Sequence, residues 1–342
     1  MKVGIVGVGA MGRHHAQVVK NIVFVDDVLG CDVAASARQI AKSEGVKVVE
    51  DMTALLSWKP DAVIVATQPT GHAAVIEACI KANVPVLAEK PLATTLKDSR
   101  RLVAMAKRKG IPLQVGFELR YCGSHRAMCD VVRSGKIGKP TRMSLIQNSG
   151  AHPKGHFTLE RCKGIFWEKL CHEVDIFRYW FGEPERIMAI AGPKGLNHYG
   201  IPDNAMACMR FPGEKLGTIM FTCTRAAQVG GTDDHGDRGH FLELTLACTN
   251  GSVTYDPWTD MLSVVKFNHR KDCKSELLER VAVEDTYAHA QYNIIDQDTD
   301  FLTRVRDGKK LQFPAEDALI SMEWVAKAEQ SISLGGKWIA AS

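Results

Sequence analysis

Residues 3–12 read Val3-Gly-Ile-Val-Gly7-Val-Gly9-Ala-Met-Gly12, an apolar run that breaks into three glycines spaced G-x-G-x-x-G. Few folds accept that pattern. A strand must end, the chain must turn sharply, and a helix must begin with its backbone close against the strand. The surroundings agree with this: a strand-like run precedes the glycines, a helical stretch follows, and Asp32 stands 20 residues past Gly12 at the end of the next strand-like run. Gly7 allows the tight turn, Gly9 lets a pyrophosphate approach the backbone, and Gly12 permits close helix–strand packing. The helix then presents the unpaired N–H groups of its first turn, at Ala10 and Met11, to the phosphates. Asp32 is placed to accept hydrogen bonds from ribose hydroxyls and to repel a 2′-phosphate. The next residues, Val33-Ala34-Ala35, offer no cation, so NAD is favoured over NADP. Arg38, further on, keeps NADP open. The competing reading is a glycine-rich turn in another α/β protein, with Asp32 merely solvated.

The first third of the chain alternates short apolar runs (2–6, 28–31, 62–66, 84–88 and 112–115) with helical stretches such as 72–82 and 96–109. Runs without clean period-two alternation suit strands buried on both faces of a parallel sheet, which predicts a doubly wound α/β Rossmann domain. After about Gly116 the pattern changes. Longer strand-like runs (141–148, 186–190, 205–211, 216–224, 241–248 and 252–255) are separated by Gly, Pro and Asn turns. One helix interrupts them at 164–181, and the 298–334 segment is helical again. At roughly 150 residues per domain, 342 residues make about two domains. The expected division is 1–120 for dinucleotide binding and 121–342 for an α+β domain with an open, mostly antiparallel sheet. The last helix is placed to pack back on the first domain.

Composition excludes several classes of function. Lys plus Arg is 43 against 39 for Asp plus Glu, giving a net charge of +4 with no clustering, so no nucleic-acid partner is expected. No apolar run nears the roughly 18 residues of a membrane span. The opening residues run straight into a strand without the marks of a secretion signal. The 10 cysteines are irregularly spaced with no C-x-x-C pair. Reduced thiols, buried as small hydrophobes in a cytoplasmic protein, are the expectation.

Glu89-Lys90-Pro91 directly follows the 84–88 run. Ligands of a doubly wound sheet lie at the carboxyl ends of its strands. Lysine there is a candidate for contact with cofactor and substrate, although most loop lysines are simply solvated. Thr67, Gln68, Pro69 and His72, after the 62–66 run, are further candidate cofactor contacts, with Glu89 and Lys90.

Taken together, several motifs resemble the glucose-fructose oxidoreductase / inositol dehydrogenase (Gfo/Idh/MocA) family. They are the glycine run, Glu89-Lys90-Pro91, Val115-Gly-Phe-Glu-Leu-Arg-Tyr121, Ser134-Gly-Lys-Ile-Gly-Lys-Pro140, Cys171-His-Glu-Val-Asp175, and Glu316-Asp-Ala-Leu followed by a helix reaching Leu334-Gly-Gly. The resemblance spans essentially the whole chain. It implies a Rossmann domain followed by an α+β domain whose open sheet mediates oligomerisation, so a homodimer or homotetramer. It also implies a site lysine at Lys90 and a cis Lys90–Pro91 bond.

The 166–180 segment is helical by period, with Trp167, Leu170, Cys171, Val174, Phe177 and Phe181 on one face. Glu168, His172 and Asp175 fall on a separate stripe at i, i+4 and i+7. A histidine one turn from a carboxylate is a tunable base near neutral pH, and a solvated helix face is the plain alternative. The family pattern is Asp-x-x-x-His, and this chain departs from it with Glu168 in the aspartate position. Asp175 either binds substrate or fixes the helix and the imidazole. Further candidate substrate contacts are Glu118, Arg120, His152 and His235, with Arg120 equally suited to support the domain junction. His235, Asp237 and His240 lie in a Gly/Asp-rich loop at 228–240, which is either a lid or a solvated loop; Tyr287, His289 and Tyr292 are plausible sugar contacts or surface residues. His152 and His156 have helical metal spacing, but Pro153 and Gly155 oppose a helix and no Cys/His set completes a zinc site, so no metal is expected.

The expected chemistry is hydride transfer between nicotinamide and a secondary alcohol of a sugar, cyclitol or glycoside. His172 serves as general base, Lys90 stabilises the substrate oxygen, and Glu168 orients His172 or binds a neighbouring hydroxyl. Two alternatives stand: a glycosidase that uses tightly bound NAD for oxidation and elimination, and a non-catalytic NAD/sugar sensor. A sensor has no need to keep both Lys90 and His172.

Overall fold

The computed structural model describes residues 1–149, 158–195, 199–223, 241–256, 259, 261–267, 274–283 and 290–341. Cys273, the 228–240 loop and the candidates His152, His156, His235, Asp237, His240, Tyr287 and His289 lie outside the described residues, as does the side chain of Tyr292. The chain forms two compact units, one of Met1–Glu118 with Gln291–Glu323, the other of Leu119–Ala290 with Trp324–Ser342.

In the first unit, β1 (Lys2–Val6), α1 (Ala10–Lys20), β2 (Asp27–Cys31), α2 (Ala35–Ser43), β3 (Lys47–Val49), α3 (Met52–Ser57), β4 (Ala62–Val65), α4 (Pro69–Lys81), β5 (Val86–Glu89), α5 (Leu96–Lys109) and β6 (Leu113–Gly116) follow in order. All six strands are parallel, ordered β3-β2-β1-β4-β5-β6. The order reverses between β1 and β4, which is where such a sheet opens a ligand crevice at its carboxyl edge. The central strands are apolar throughout because helices cover both faces; all four residues of β4 are buried. Local signals end the helices. Thr95 caps α5 by accepting the Asp98 N–H, and Gly110 closes it in the left-handed region. Pro69 opens α4 at its first turn, three residues earlier than periodicity alone suggests.

The second unit contains a short turn of helix at Glu118–Tyr121 (its last three residues), then α6 (Gly123–Ser134), β7 (Pro140–Asn148), the single turns α7 (Leu159–Cys162) and α8 (Ile165–Glu168), and α9 (Cys171–Phe181). The strands β8 (Arg186–Ala191), β9 (Asn204–Arg210), β10 (Leu216–Thr222), β11 (Phe241–Cys248), β12 (Gly251–Asp256), β13 (Met261–Phe267) and β14 (Ser275–Ala282) follow. Two long helices, α10 (Ala290–Arg306) and α11 (Ala315–Ser333), and β15 (Ile339–Ala340) complete the chain. The sheet runs β14-β13-β12-β11-β7-β10-β9-β8-β15 and is antiparallel except where β10 lies parallel to β7.

One expectation is corrected. The 164–181 stretch is not one helix: it breaks at Lys169 and Leu170 into α8 and α9, so Glu168 and His172 stand on separate helical pieces. The helical 298–334 stretch consists of two helices, separated between Arg306 and Ala315, where Gly308 takes a positive φ and Pro314 precedes α11. Phe301 and Leu302 of α10 are fully buried in the core of the first unit with Val3, Ile5, Val19 and Ile64.

Among the described residues no helix is long and apolar enough to cross a membrane. The nine described cysteines are free thiols, and all but Cys208 are buried.

Candidate functional site

In the first unit the predicted cofactor residues gather at the carboxyl edge of the sheet. Gly7–Gly12 follow β1, Asp32 follows β2, Thr67-Gln68-Pro69 follow β4, and Glu89 ends β5 with Lys90-Pro91 directly after it. These strands are neighbours in the order β2-β1-β4-β5, so the four loops lie side by side.

The glycines divide their work as their spacing suggests. Gly7 has φ +89°, and a Cβ there would stand 2.7 Å from the Ala66 carbonyl and the Thr67 nitrogen. A Cβ on Gly12 would lie 1.7 Å from the Gly7 oxygen, so α1 reaches the turn only because that position is bare. Around Gly9, by contrast, a Cβ would meet nothing within 4 Å. That open space borders the start of α1, where no side chain caps the helix and Ala10 and Met11 are exposed. The arrangement fits a pyrophosphate received by the backbone N–H groups of a helix N-terminus.

Asp32 is built into the turn by its own carboxylate. Its Oδ2 accepts the Val8 N–H (2.9 Å) and its Oδ1 accepts the Ala34 N–H (2.9 Å), which ties the glycine turn to β2. Each carboxylate oxygen keeps a second lone pair for a ribose hydroxyl. The Arg38 guanidinium donates to the Asp32 and Val33 carbonyls (2.8 and 3.1 Å) and pairs with Glu50. It is thus committed to the protein rather than offered to a 2′-phosphate.

The Lys90–Pro91 bond is cis. Lys90 is half-buried; its N–H donates to Glu89 Oε2 (3.2 Å), and the Pro91 carbonyl lies 2.8 Å from His72 Nδ1. His72 Nε2 lies 3.0 Å from the Thr67 carbonyl, so one buried imidazole joins the β4 and β5 loops. Glu89 Oε1 faces His15 Nε2 at 3.1 Å, and His15 Nδ1 faces Asp298 Oδ2 at 2.7 Å. Neither His15 nor Asp298 is legible as a functional residue in the sequence. His15 looks like one more buried position of α1, and 283 residues separate it from Asp298.

In the second unit the predicted residues lie on α8, α9 and the short helix before α6. Glu168, His172 and Asp175 are all buried rather than on a solvated face. Phe177 seats α9 on the sheet at Gly217, where a Cβ would come within 2.5 Å of its ring. Asp175 is fully engaged by Arg120, whose Nε and Nη2 each donate at 2.6 Å to its two oxygens. Arg178, beside them, pairs with Glu183. The sequence gives no hint of Glu329 on α11. It accepts the Phe166 N–H at 2.7 Å and so caps α8, the turn that carries Glu168. Burial pushes the Glu329 carboxyl up to about 7, against the opposing effect of the backbone donors at Phe166 and Trp167. Glu118 is half-buried at the end of the first unit. Among the described residues no group of three or more His, Cys, Asp and Glu side chains could hold a metal ion.

Comparison with known proteins agrees with this arrangement. Residues 1–117 match the family model "Oxidoreductase family, NAD-binding Rossmann fold", and residues 125–254 match "GFO/IDH/MocA C-terminal domain". The myo-inositol 2-dehydrogenase of Thermotoga maritima is 28% identical over 229 residues, covering 64% of this chain and 67% of that protein. Inositol 2-dehydrogenase 2 of Mycolicibacterium vanbaalenii is 30% identical over 247 residues, covering 70% and 71%. Other curated relatives align over only 54–57% of their own length. A crystal structure of an oxidoreductase from Agrobacterium radiobacter, in complex with NAD+, L-tartaric acid and magnesium, shares the fold with a TM-score of 0.84 at 18% identity, over 99% of this chain and 98% of that one. Joined to the glycine cradle and the Glu89-Lys90-Pro91 loop, these matches make the chain a member of the GFO/IDH/MocA family of oxidoreductases, with an NAD-binding Rossmann domain at its N-terminal end.

Proposed function

We propose that this protein is an NAD-dependent dehydrogenase acting on a secondary alcohol of a cyclitol or sugar, with an inositol as the first substrate to try. The observation that carries the reading is the cradle around Gly9, open where a pyrophosphate would lie and set beside the braced Lys90 loop. The inositol dehydrogenases among its relatives supply the substrate class.

Bound NAD supplies the hydride acceptor, nicotinamide C4. The residues of the chain do the rest. His172 takes the hydroxyl proton as general base. Lys90 donates a hydrogen bond to the same oxygen and stabilises the negative charge that grows on it. Glu168, on the turn before α9, orients His172 or accepts a hydrogen bond from a neighbouring hydroxyl. Asp175 serves as a structural anchor, because both of its oxygens are held by Arg120. The commitment of Arg38 to the Asp32 and Val33 carbonyls favours NAD over NADP.

We also propose that the sheet of the second unit pairs copies of this chain. Ile190, Met206 and Met220 form a row across β8, β9 and β10, each exposed and each opposite the next. A continuous exposed apolar row on a sheet marks an interaction surface.

The test is NADH formation at 340 nm against a panel of inositols, aldoses and glycosides, with NAD and NADP side by side. His172→Ala is expected to lower kcat by about 10²-fold or more while NAD binding is nearly unchanged, and Lys90→Met to lower kcat by a similar factor. Turnover near the wild-type value in either variant removes that residue from the mechanism.

A further inference from the structure

The buried chain Asp298–His15–Glu89 leads to the backbone of Lys90, and neither His15 nor Asp298 has a part in the chemistry described so far. We propose that His15 is a positioning residue for Lys90: clamped by Asp298, it holds the Glu89 carboxylate in the place from which that carboxylate fixes the Lys90 loop. The inference rests on the proposed function, because it takes Lys90 as the group that meets the substrate oxygen.

The geometry is specific. His15 Nδ1 stands 2.7 Å from Asp298 Oδ2 and Nε2 stands 3.1 Å from Glu89 Oε1. His15 and Asp298 are fully buried and Glu89 nearly so. Two carboxylates facing both ring nitrogens call for two donors, and only the imidazolium has them; a neutral ring would turn a lone pair toward one carboxylate. The ring is therefore charged. Burial alone would push it down, but the charge and hydrogen bond of Asp298, with those of Glu89, outweigh burial and hold it up at about 10. Burial likewise acts to raise Glu89, and the His15 hydrogen bond and charge, followed by the charges of Lys90 and His72, hold it below its ordinary value.

Glu89 transmits this to the loop. One oxygen is held by His15, and the other accepts the Lys90 N–H at 3.2 Å. On the far side of the same dipeptide the Pro91 carbonyl faces His72. The groups that face His15 are thus Asp298 from α10 and Glu89 from the end of β5. Those acting on Glu89 are His15, Lys90 and His72 of α4. Without the imidazolium, a buried carboxylate loses its counter-charge and favours protonation, and its grip on the Lys90 N–H weakens.

Two measurements on the full chain with NAD bound test this. In histidine-labelled protein, NMR titration should show His15 as an imidazolium from pH 6 through pH 9, a readout independent of turnover. With myo-inositol as substrate, His15→Gln should lower kcat by about 10²-fold, the scale of a small misplacement of a reacting group. It should also move the acid limb of the kcat–pH profile up by about one pH unit or more as Glu89 loses its cation. Adding Glu89→Gln should abolish that movement, which a loss of folded protein would not do. If His15→Gln does not fold, Asp298→Asn carries the test: the His15 titration should drop by about one pH unit or more, with kcat falling above it. A wild-type His15 that titrates near its ordinary value overturns the proposal. So does a folded His15→Gln, or a folded Asp298→Asn in its place, whose profile superimposes on the wild type. If the wild type oxidises no polyol, the proposed function fails, while the titration still decides whether the clamp exists.

Discussion

Replacing Asp175 with asparagine removes one charge and leaves the shape of the side chain. Arg120 would then lose the carboxylate charge that accepts two of its hydrogen bonds at 2.6 Å. Arg120 is 5% exposed and Asp175 1%, so water cannot take over the lost partner. Two unit charges about 4 Å apart interact by about 4 kcal/mol at an effective dielectric of about 20. Removing one partner of a buried pair typically costs about 3–5 kcal/mol. The tyrosine ring of Tyr179, 5.4 Å from the Arg120 Cζ, softens the loss only slightly. The expected destabilisation of the second unit is about 3–4 kcal/mol. Urea unfolding followed by tryptophan fluorescence reads it, because among the described residues Trp167, Trp180, Trp324 and Trp338 belong to that unit and only Trp58 to the other. The two units need separate fits if they unfold in two steps. Changing both partners to apolar residues, Arg120→Met with Asp175→Leu, should restore most of the stability, since the Arg120 charge is removed as well and Arg178 keeps Glu183. A loss below about 1 kcal/mol in Asp175→Asn would refute the reasoning. Unchanged stability with a raised KM would make Asp175 a substrate ligand instead.

The glycine turn gives a contrast between neighbours. Gly12→Ala puts a methyl 1.7 Å from the Gly7 oxygen and should cost about 3 kcal/mol of stability, the upper end for overpacking. Gly9→Ala meets no protein atom and should unfold like the wild type, yet bind NAD about tenfold or more weakly by calorimetry, roughly 1.4 kcal/mol. Equal NAD affinity in Gly9→Ala would move the pyrophosphate elsewhere. Glu329 predicts a pH dependence. Its carboxyl is held at about 7 in the folded protein, above its ordinary value of 4.5, so the stability it contributes is fully present below 4.5 and is lost as pH rises through about 7. Thermal unfolding of the wild type should therefore weaken across that window at up to about 1.4 kcal/mol per pH unit, and Glu329→Gln should flatten the trend. Parallel curves for the two proteins would rule out Glu329 as the source.

The parts of this molecule that depend on nearby residues are legible in its sequence. The 2–6 and 241–248 runs become β1 and β11 with those bounds, and the glycine turn takes the geometry its spacing demands. What escapes is set by distance or by competing packing. β3 has three residues and β14 is exposed along its whole length, so neither shows an apolar pattern. The single helix expected over 164–181 breaks at Lys169 and Leu170, with the backbone leaving helical angles at Leu170, and its first piece is capped by Glu329 from more than 160 residues downstream. The stripe of Glu168, His172 and Asp175 is legible as a candidate site, but its spacing leaves a solvated face open as the alternative, and the residues are buried. Burial is possible there because Arg120 supplies the charge that makes it affordable for Asp175, and no periodicity encodes that partner.

The first unit is begun first, yet it is completed only after residues 119–290 of the second have been made. Its hydrophobic centre stays open until Phe301 and Leu302 arrive, and its buried histidine lacks one carboxylate until Asp298 does. A chain paused between residues 119 and 290 therefore carries a sheet whose core is incomplete and a buried histidine with one of its two carboxylates. The first unit can close only once residues 298–302 have been made, so most of the second unit is translated before it.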